Sequence, residues 1–194
     1  LPFLKNDNRG ENILLTGVPR SGTTLACRLL CNFSETIALN EPLDRNLFTN
    51  PSIAKENIEE QFKIFRKSLL QDGTALARTQ QGKITDNAYS PDGVNRERVV
   101  ERSTITFDKK LDPDFKLILK HCAEFTLLLP EIKNIYSVFA VVRNPLAVLA
   151  SWSTVNVPVS RGKVSKSDRL NPEFHKSLES QGDDLLQRQL FILS

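Results

Sequence analysis

Residues 17 to 24 read Gly-Val-Pro-Arg-Ser-Gly-Thr-Thr, a match to the phosphate-loop pattern G-x-x-x-x-G-K-[ST] everywhere except at its lysine. Glycines let a backbone curl until its N–H groups point inward at an anion. A helix starting behind such a loop adds partial positive charge. Thr23 stands where the lysine belongs. In ATPases and kinases that lysine neutralises the β- and γ-phosphates while the following hydroxyl holds magnesium. Without it a triphosphate is a poor ligand. The compensating cation is Arg20, inside the loop, whose guanidinium grips two anionic oxygens at once. With Ser21, Gly22, Thr23 and Thr24 as amide and hydroxyl donors, the loop suits one phosphate that carries a further charged group.

A second stretch offers a second anion site. In VFAVVRNPLAVLASW, residues 138–152, Arg143 follows an apolar strand and Ser151 lies eight residues on, two helical turns away. Open α/β sheets bind ligands outside the carboxyl ends of their strands. Glu41 ends another short strand, and Lys120-His121 ends a third, so both fall at positions of the same kind.

The elements that must position these residues follow from periodicity. Residues 12–16 are an apolar run before a glycine turn, hence a buried strand. Residues 23–33 predict a helix with Leu25, Leu29, Leu30 and Phe33 on one side. Residues 36–40 predict a strand, and 53–70 a helix with Ile53, Ile58, Phe62, Phe65 and Leu69 recurring at helical steps. Residues 115–120 predict a strand with an apolar helical stretch after it. Residues 135–142 form the most hydrophobic strand, and Pro145 suits the first turn of the next helix. Residues 72–114 are polar and punctuated by Gly73, Gly82, Pro91-Asp92-Gly93 and Pro113, an insertion or substrate-facing segment rather than core. Residues 157–171 are basic and lack large aromatics, which predicts a mobile loop, and 172–193 predict a final helix. Strands alternating with helices, each strand nearly all apolar, predict an α/β class: a three-layer P-loop-type fold with a central, mostly parallel sheet flanked by helices. The 194 residues are read as a single domain.

Composition narrows the partners. No apolar run approaches the roughly 20 residues of a membrane span, and LPFLKNDNRGENILL has neither the basic end nor the cleavage site of a signal peptide. A net charge of +3 permits an anionic ligand without suggesting a nucleic-acid-coating protein. Three cysteines are too few for a disulfide framework; Cys27 and Cys31 read as small apolar residues under a sheet, and a reducing, cytoplasmic compartment is the default. Oligomeric state leaves no signature. The chain has no methionine, even at its start, which fits a trimmed chain or one written without modified methionines; in the second case some spacings are too short.

PRSGTT followed by leucine resembles the 5′-phosphosulfate loop of sulfotransferases that use 3′-phosphoadenosine 5′-phosphosulfate (PAPS), in the form found in the bacterial, carbohydrate and protein-tyrosine branches. The stretch from Arg143 to Ser151 is similar to the 3′-phosphate motif of that superfamily. The resemblance covers residues 12–42 and 115–152. The Arg-Lys-Gly element of cytosolic sulfotransferases is missing from the C-terminal segment. PAPS is then the expected co-substrate, with no metal, and the acceptor a small molecule, carbohydrate or peptide. The resemblance implies Glu41 as general base, Lys120 and Arg20 as stabilisers of the transferring group, and Arg143 with Ser151 as the 3′-phosphate site. His121 is the rival base, one residue out of register with the histidine of cytosolic relatives. His175 is expected to be a surface residue. Two alternatives stand beside this reading: a P-loop kinase-like phosphotransferase, and a non-catalytic module binding PAPS or adenosine 3′,5′-bisphosphate.

Overall fold

The computed structural model describes residues 10–91, 93 and 96–194; the first nine residues, where no leader is expected, and Asp92 of the expected turn lie outside the described residues. Among the described residues six strands form: β1 (Asn12–Thr16), β2 (Thr36–Asn40), β3 (Thr74–Thr79), β4 (Glu101–Thr106), β5 (Lys116–Lys120) and β6 (Ser137–Ala140). Four of them make one all-parallel sheet in the order β2-β5-β1-β6, and β3 pairs antiparallel with β4. The parallel register sets Lys120 beside both Leu15 and Asn40, and Thr16 beside Ala140, so all four carboxyl ends reach the same rim.

Alternate strand residues face opposite sides, and each side has its own helix. Leu14, Ile37, Leu39, Leu117 and Leu119 pack with Ala54, Ile58, Phe62, Phe65 and Leu69 of α2 (Pro51–Asp72). Ile13, Leu15, Ala38 and Ile118 pack with Cys27 of α1 (Thr23–Leu30). The result is a three-layer α/β fold. α2 is well delimited: the Asn50 side chain accepts from the Ile53 N–H at 3.0 Å, Pro51 opens the helix, and Gly73 at φ 65° ends it.

The remaining helices are short: α3 (Ala123–Leu127), α4 (Leu129–Ile132), α5 (Pro145–Trp152), α6 (Ser167–Leu170), α7 (Pro172–Glu179) and α8 (Leu185–Leu193). α5 begins at Pro145 as expected, with the Asn144 side chain accepting from the Leu146 N–H at 2.9 Å. Among the described residues no helix is long and apolar enough to cross a membrane.

Several expectations are corrected. The inner face of α1 carries Thr23 and Cys27, with Leu30 partly buried against the same cluster, whereas Leu25, Leu29 and Phe33 are 44%, 52% and 63% exposed. The helix starts with Thr23 turned inward, and four residues on, the same face is Cys27. The hydrophobic strand at 135–142 shrinks to 137–140 and, among the described residues, pairs with β1 alone, leaving Phe139 58% exposed at the sheet edge. The final helix is broken at Gly182, φ 70°, and restarts at Asp184, whose side chain accepts from the Gln187 N–H. Residues 157–171 form a 3₁₀ turn (Pro158–Arg161) and α6, and anchor Val159 and Leu170 in the interior. Residues 72–114 likewise contribute Ala75, Ala77 and Ile105 to the core through β3 and β4.

Candidate functional site

The loop between β1 and α1 is held open by backbone geometry. Gly17 sits at φ 142°, and a Cβ there would meet the Val141 carbonyl at 2.6 Å and Ser21 Oγ at 2.8 Å, so glycine is required. Gly22, at φ 102°, is the N-cap of α1 and offers its first turn no side-chain acceptor. Ser21 Oγ is buried without a hydrogen-bond partner among the described residues. An uncapped helix start and an orphaned buried hydroxyl are donors awaiting an acceptor. Thr23 is buried, its Oγ1 3.2 Å from Cys122 Sγ.

The chain from α5 grips this loop from outside. Arg20, at φ 75°, donates through Nε to Ser151 Oγ and through Nη1 to Asn87 Oδ1, each at 2.9 Å, and its guanidinium lies 5.0 Å from the centre of the Tyr89 ring. The Arg20 carbonyl accepts from Arg143 Nη1 at 3.1 Å, and the Pro19 carbonyl accepts from Trp152 Nε1 at 2.7 Å. Burial and then the nearby Arg96 pull Arg20 below the ordinary arginine value. The two expected anion sites are therefore mechanically joined through Arg20, and Ser151 acts through Arg20.

At the other end of the rim stands Glu41, at φ 45°, beyond β2. Its Oε1 lies 3.2 Å from Lys120 Nζ, and its Oε2 lies 2.9 Å from Arg78 Nε and 3.0 Å from Arg98 Nη2. Burial opposes the carboxylate charge, but Lys120, His121, Arg98 and Arg78 outweigh it and hold Glu41 far below the usual carboxylate range. Lys120 is held above the usual lysine value: burial opposes its charge, and Cys122 and Glu41 more than reverse that. Lys120 Nζ also donates to Asn40 Oδ1 at 3.1 Å.

These groups line one cavity of about 1150 Å³, larger than the roughly 300–1,000 Å³ of an ordinary small-molecule site. Arg20, Gly22, Thr23, Thr24, Glu41, Lys120 and Arg143 reach its wall; Ser21, Ser151 and His121 do not. His121 is packed between Phe48 and Phe125, with ring centres at 5.3 and 5.1 Å. Its Nε2 accepts from the Leu43 N–H at 3.1 Å and its Nδ1 lies 3.7 Å from Glu124 Oε2. Both nitrogens are engaged inside the protein, which leaves neither for an acceptor. His175 is half-buried rather than on the surface, its Nδ1 2.9 Å from Ser167 Oγ.

The cysteines offer no nucleophile: burial raises Cys27, Cys31 and Cys122 above the ordinary thiol value, and all three thiols are free. Among the described residues no group of three or more His, Cys, Asp and Glu side chains is placed to hold a metal ion.

Sequence reasoning missed Arg78, Asn87, Tyr89, Arg96, Arg98 and Trp152. The segment 72–114 supplies five of them. Its usable signal is the two-residue spacing of Arg96 and Arg98, which places two arginines on one side of an extended chain. No protein-family model, curated protein or solved structure matches the chain.

Proposed function

We propose that this chain is a PAPS-dependent sulfotransferase that moves a sulfuryl group to a hydroxyl or amine of an acceptor. One observation supports the reading: the loop between β1 and α1 is clasped by Arg143 and Ser151 through Arg20, while Lys120 and Glu41 face the same cavity. A donor with two separated anionic groups fits such a pair of sites.

The loop amides, Ser21 Oγ and the Thr23 and Thr24 hydroxyls would hold the 5′-phosphosulfate, and the uncapped start of α1 favours that anion. Arg143 would hold the 3′-phosphate, and Ser151 would position Arg20 beside it. In the transfer, the acceptor oxygen forms a bond to sulfur as the bond from sulfur to the phosphate oxygen breaks. Glu41 takes the acceptor proton, and Lys120 and Arg20 stabilise charge on the sulfuryl oxygens and the leaving phosphate. Adenosine 3′,5′-bisphosphate leaves.

An ATP–magnesium phosphotransferase has less support, because Thr23 brings no charge and β5 ends in Lys120 rather than in a magnesium-holding aspartate. The ion pairs at Glu41 favour a second reading instead, a module that binds the bisphosphate without transfer, since a carboxylate held by three cations is a weak base. Calorimetry with adenosine 3′,5′-bisphosphate, AMP and ATP–magnesium tests the site. Tight binding of the bisphosphate alone supports the proposal, and preference for ATP–magnesium overturns it. Sulfate transfer from PAPS then separates enzyme from module.

A further inference from the structure

Most charged side chains on the cavity wall are already paired. Arg98 and Lys120 hold Glu41, Arg45 lies 3.5 Å from Glu124, and Asp86 is taken by Arg28 from outside the wall. Arg20, Arg143 and Arg96 also line the cavity, and among the described residues none of them forms an ion pair. Arg96 is placed by its backbone. Its N–H donates to the Thr154 carbonyl at 2.9 Å and it bridges in parallel to Val155, which sets it just past the Ser151 that orients Arg20. Its Nε donates to the Ser90 carbonyl, which leaves the four N–H groups of Nη1 and Nη2 without a partner among the described residues. Glu97, next in sequence, is exposed and forms no ion pair with it.

Resting on the sulfotransferase reading, we propose that Arg96 is a third cation of the donor's second anion site, forming with Arg20 and Arg143 a cradle of guanidiniums for the 3′-phosphate. The stretch that carries Asn87, Tyr89 and Arg96 then serves the donor: Asn87 Oδ1 accepts from Arg20 Nη1, and the Tyr89 ring lies against the same guanidinium. The cations are close enough to feel one another. Burial does most to lower the Arg20 value, and the charge of Arg96 comes next, ahead of that of Arg143. Like charges gathered without a counter-charge favour an anion that can face several of them together. A phosphate monoester, with its near-dianionic charge and three acceptor oxygens, meets that need.

The test is calorimetric titration of the wild type, Arg96→Gln and Arg96→Lys with two nucleotides, adenosine 3′,5′-bisphosphate and AMP, which has the 5′-phosphate alone. Arg96→Gln is expected to bind the bisphosphate about 10- to 100-fold more weakly, the scale of a charge-assisted hydrogen bond, and to hold AMP within about twofold of wild type. Arg96→Lys is expected to recover part of the lost bisphosphate affinity, because it keeps the charge and loses the planar fork. Unaltered AMP affinity shows that the variants are folded. A purely structural Arg96, acting only through the Ser90 carbonyl, would weaken both nucleotides alike. Equal weakening, or unchanged bisphosphate affinity in Arg96→Gln, overturns this inference and leaves the sulfotransferase reading standing. Failure of the wild-type protein to bind the bisphosphate more tightly than AMP overturns both.

Discussion

Lys120 Nζ lies 3.2 Å from Glu41 Oε1, although 79 residues separate them in the chain. The two side chains meet because β2 and β5 are neighbours in register, Asn40 beside Lys120. Lys120 is 3% exposed, so its charge depends on that partner.

Glu41 therefore governs stability in acid. Its carboxyl is held well below its ordinary value of 4.5, so its contribution is fully present above that pH and drains away as pH falls toward strongly acid conditions. Glu41→Gln leaves Lys120, Arg78 and Arg98 facing one another and is expected to cost roughly 1–3 kcal/mol at neutral pH, below the full loss for a deeply buried pair because Glu41 is partly exposed. Urea unfolding at pH 7 and pH 3 checks this. The wild type is expected to lose more stability between the two than the variant. Equal losses would refute the assignment.

The same variant tests the chemistry. With saturating donor, single-turnover sulfate transfer by Glu41→Gln is expected to fall by about 10²–10⁴, the usual worth of general-base catalysis. His121→Asn is expected to lower stability through the lost Leu43 contact while affecting transfer less. A near-normal Glu41→Gln beside a folded but inactive His121→Asn would reverse the roles.

Trp152, the only tryptophan, touches the loop through the Pro19 carbonyl, so its fluorescence is expected to change on binding of the bisphosphate. Arg143→Ala is expected to shift that titration roughly 10- to 100-fold weaker, the scale of a charge-assisted hydrogen bond. An unshifted curve would place the second anion site elsewhere.

The two loop glycines are expected to differ. Gly22→Ala meets no neighbour within 4 Å and suffers only its positive φ, a cost of about 1–2 kcal/mol. Gly17→Ala adds contact with the Val141 carbonyl at 2.6 Å and is expected to lose more stability and abolish bisphosphate binding. Thermal melts of the two variants, compared with wild type, decide the ranking.

Hydrogen exchange tests residues 157–171. The amides of Gly162, Lys163, Leu170 and Asn171 donate to Val159, Pro158, Lys166 and Ser167, and are expected to exchange slowly without ligand. Rapid exchange there would restore the mobile loop that the composition suggests.

What the sequence by itself determined is local. The apolar run 12–16, the glycine spacing of the loop, Pro145 at a helix start and the alternation of strand with helix each depend on a few adjacent residues, and each is found in the fold. Periodicity names an element and its faces but not which face meets the sheet. The inward turn of Thr23 put Cys27 inside α1 and Leu25 and Leu29 outside. Hydrophobicity likewise does not say whether a strand is central; among the described residues β6 pairs with β1 alone, on the side away from β5. The charge state of Glu41 lay furthest from view. It is decided by Lys120 and Arg98, 79 and 57 residues away, brought to one rim by strand order and by a segment whose polar composition resembles a loop. A carboxylate's basicity is set by the cations within a few ångströms, and only the tertiary structure determines which those are.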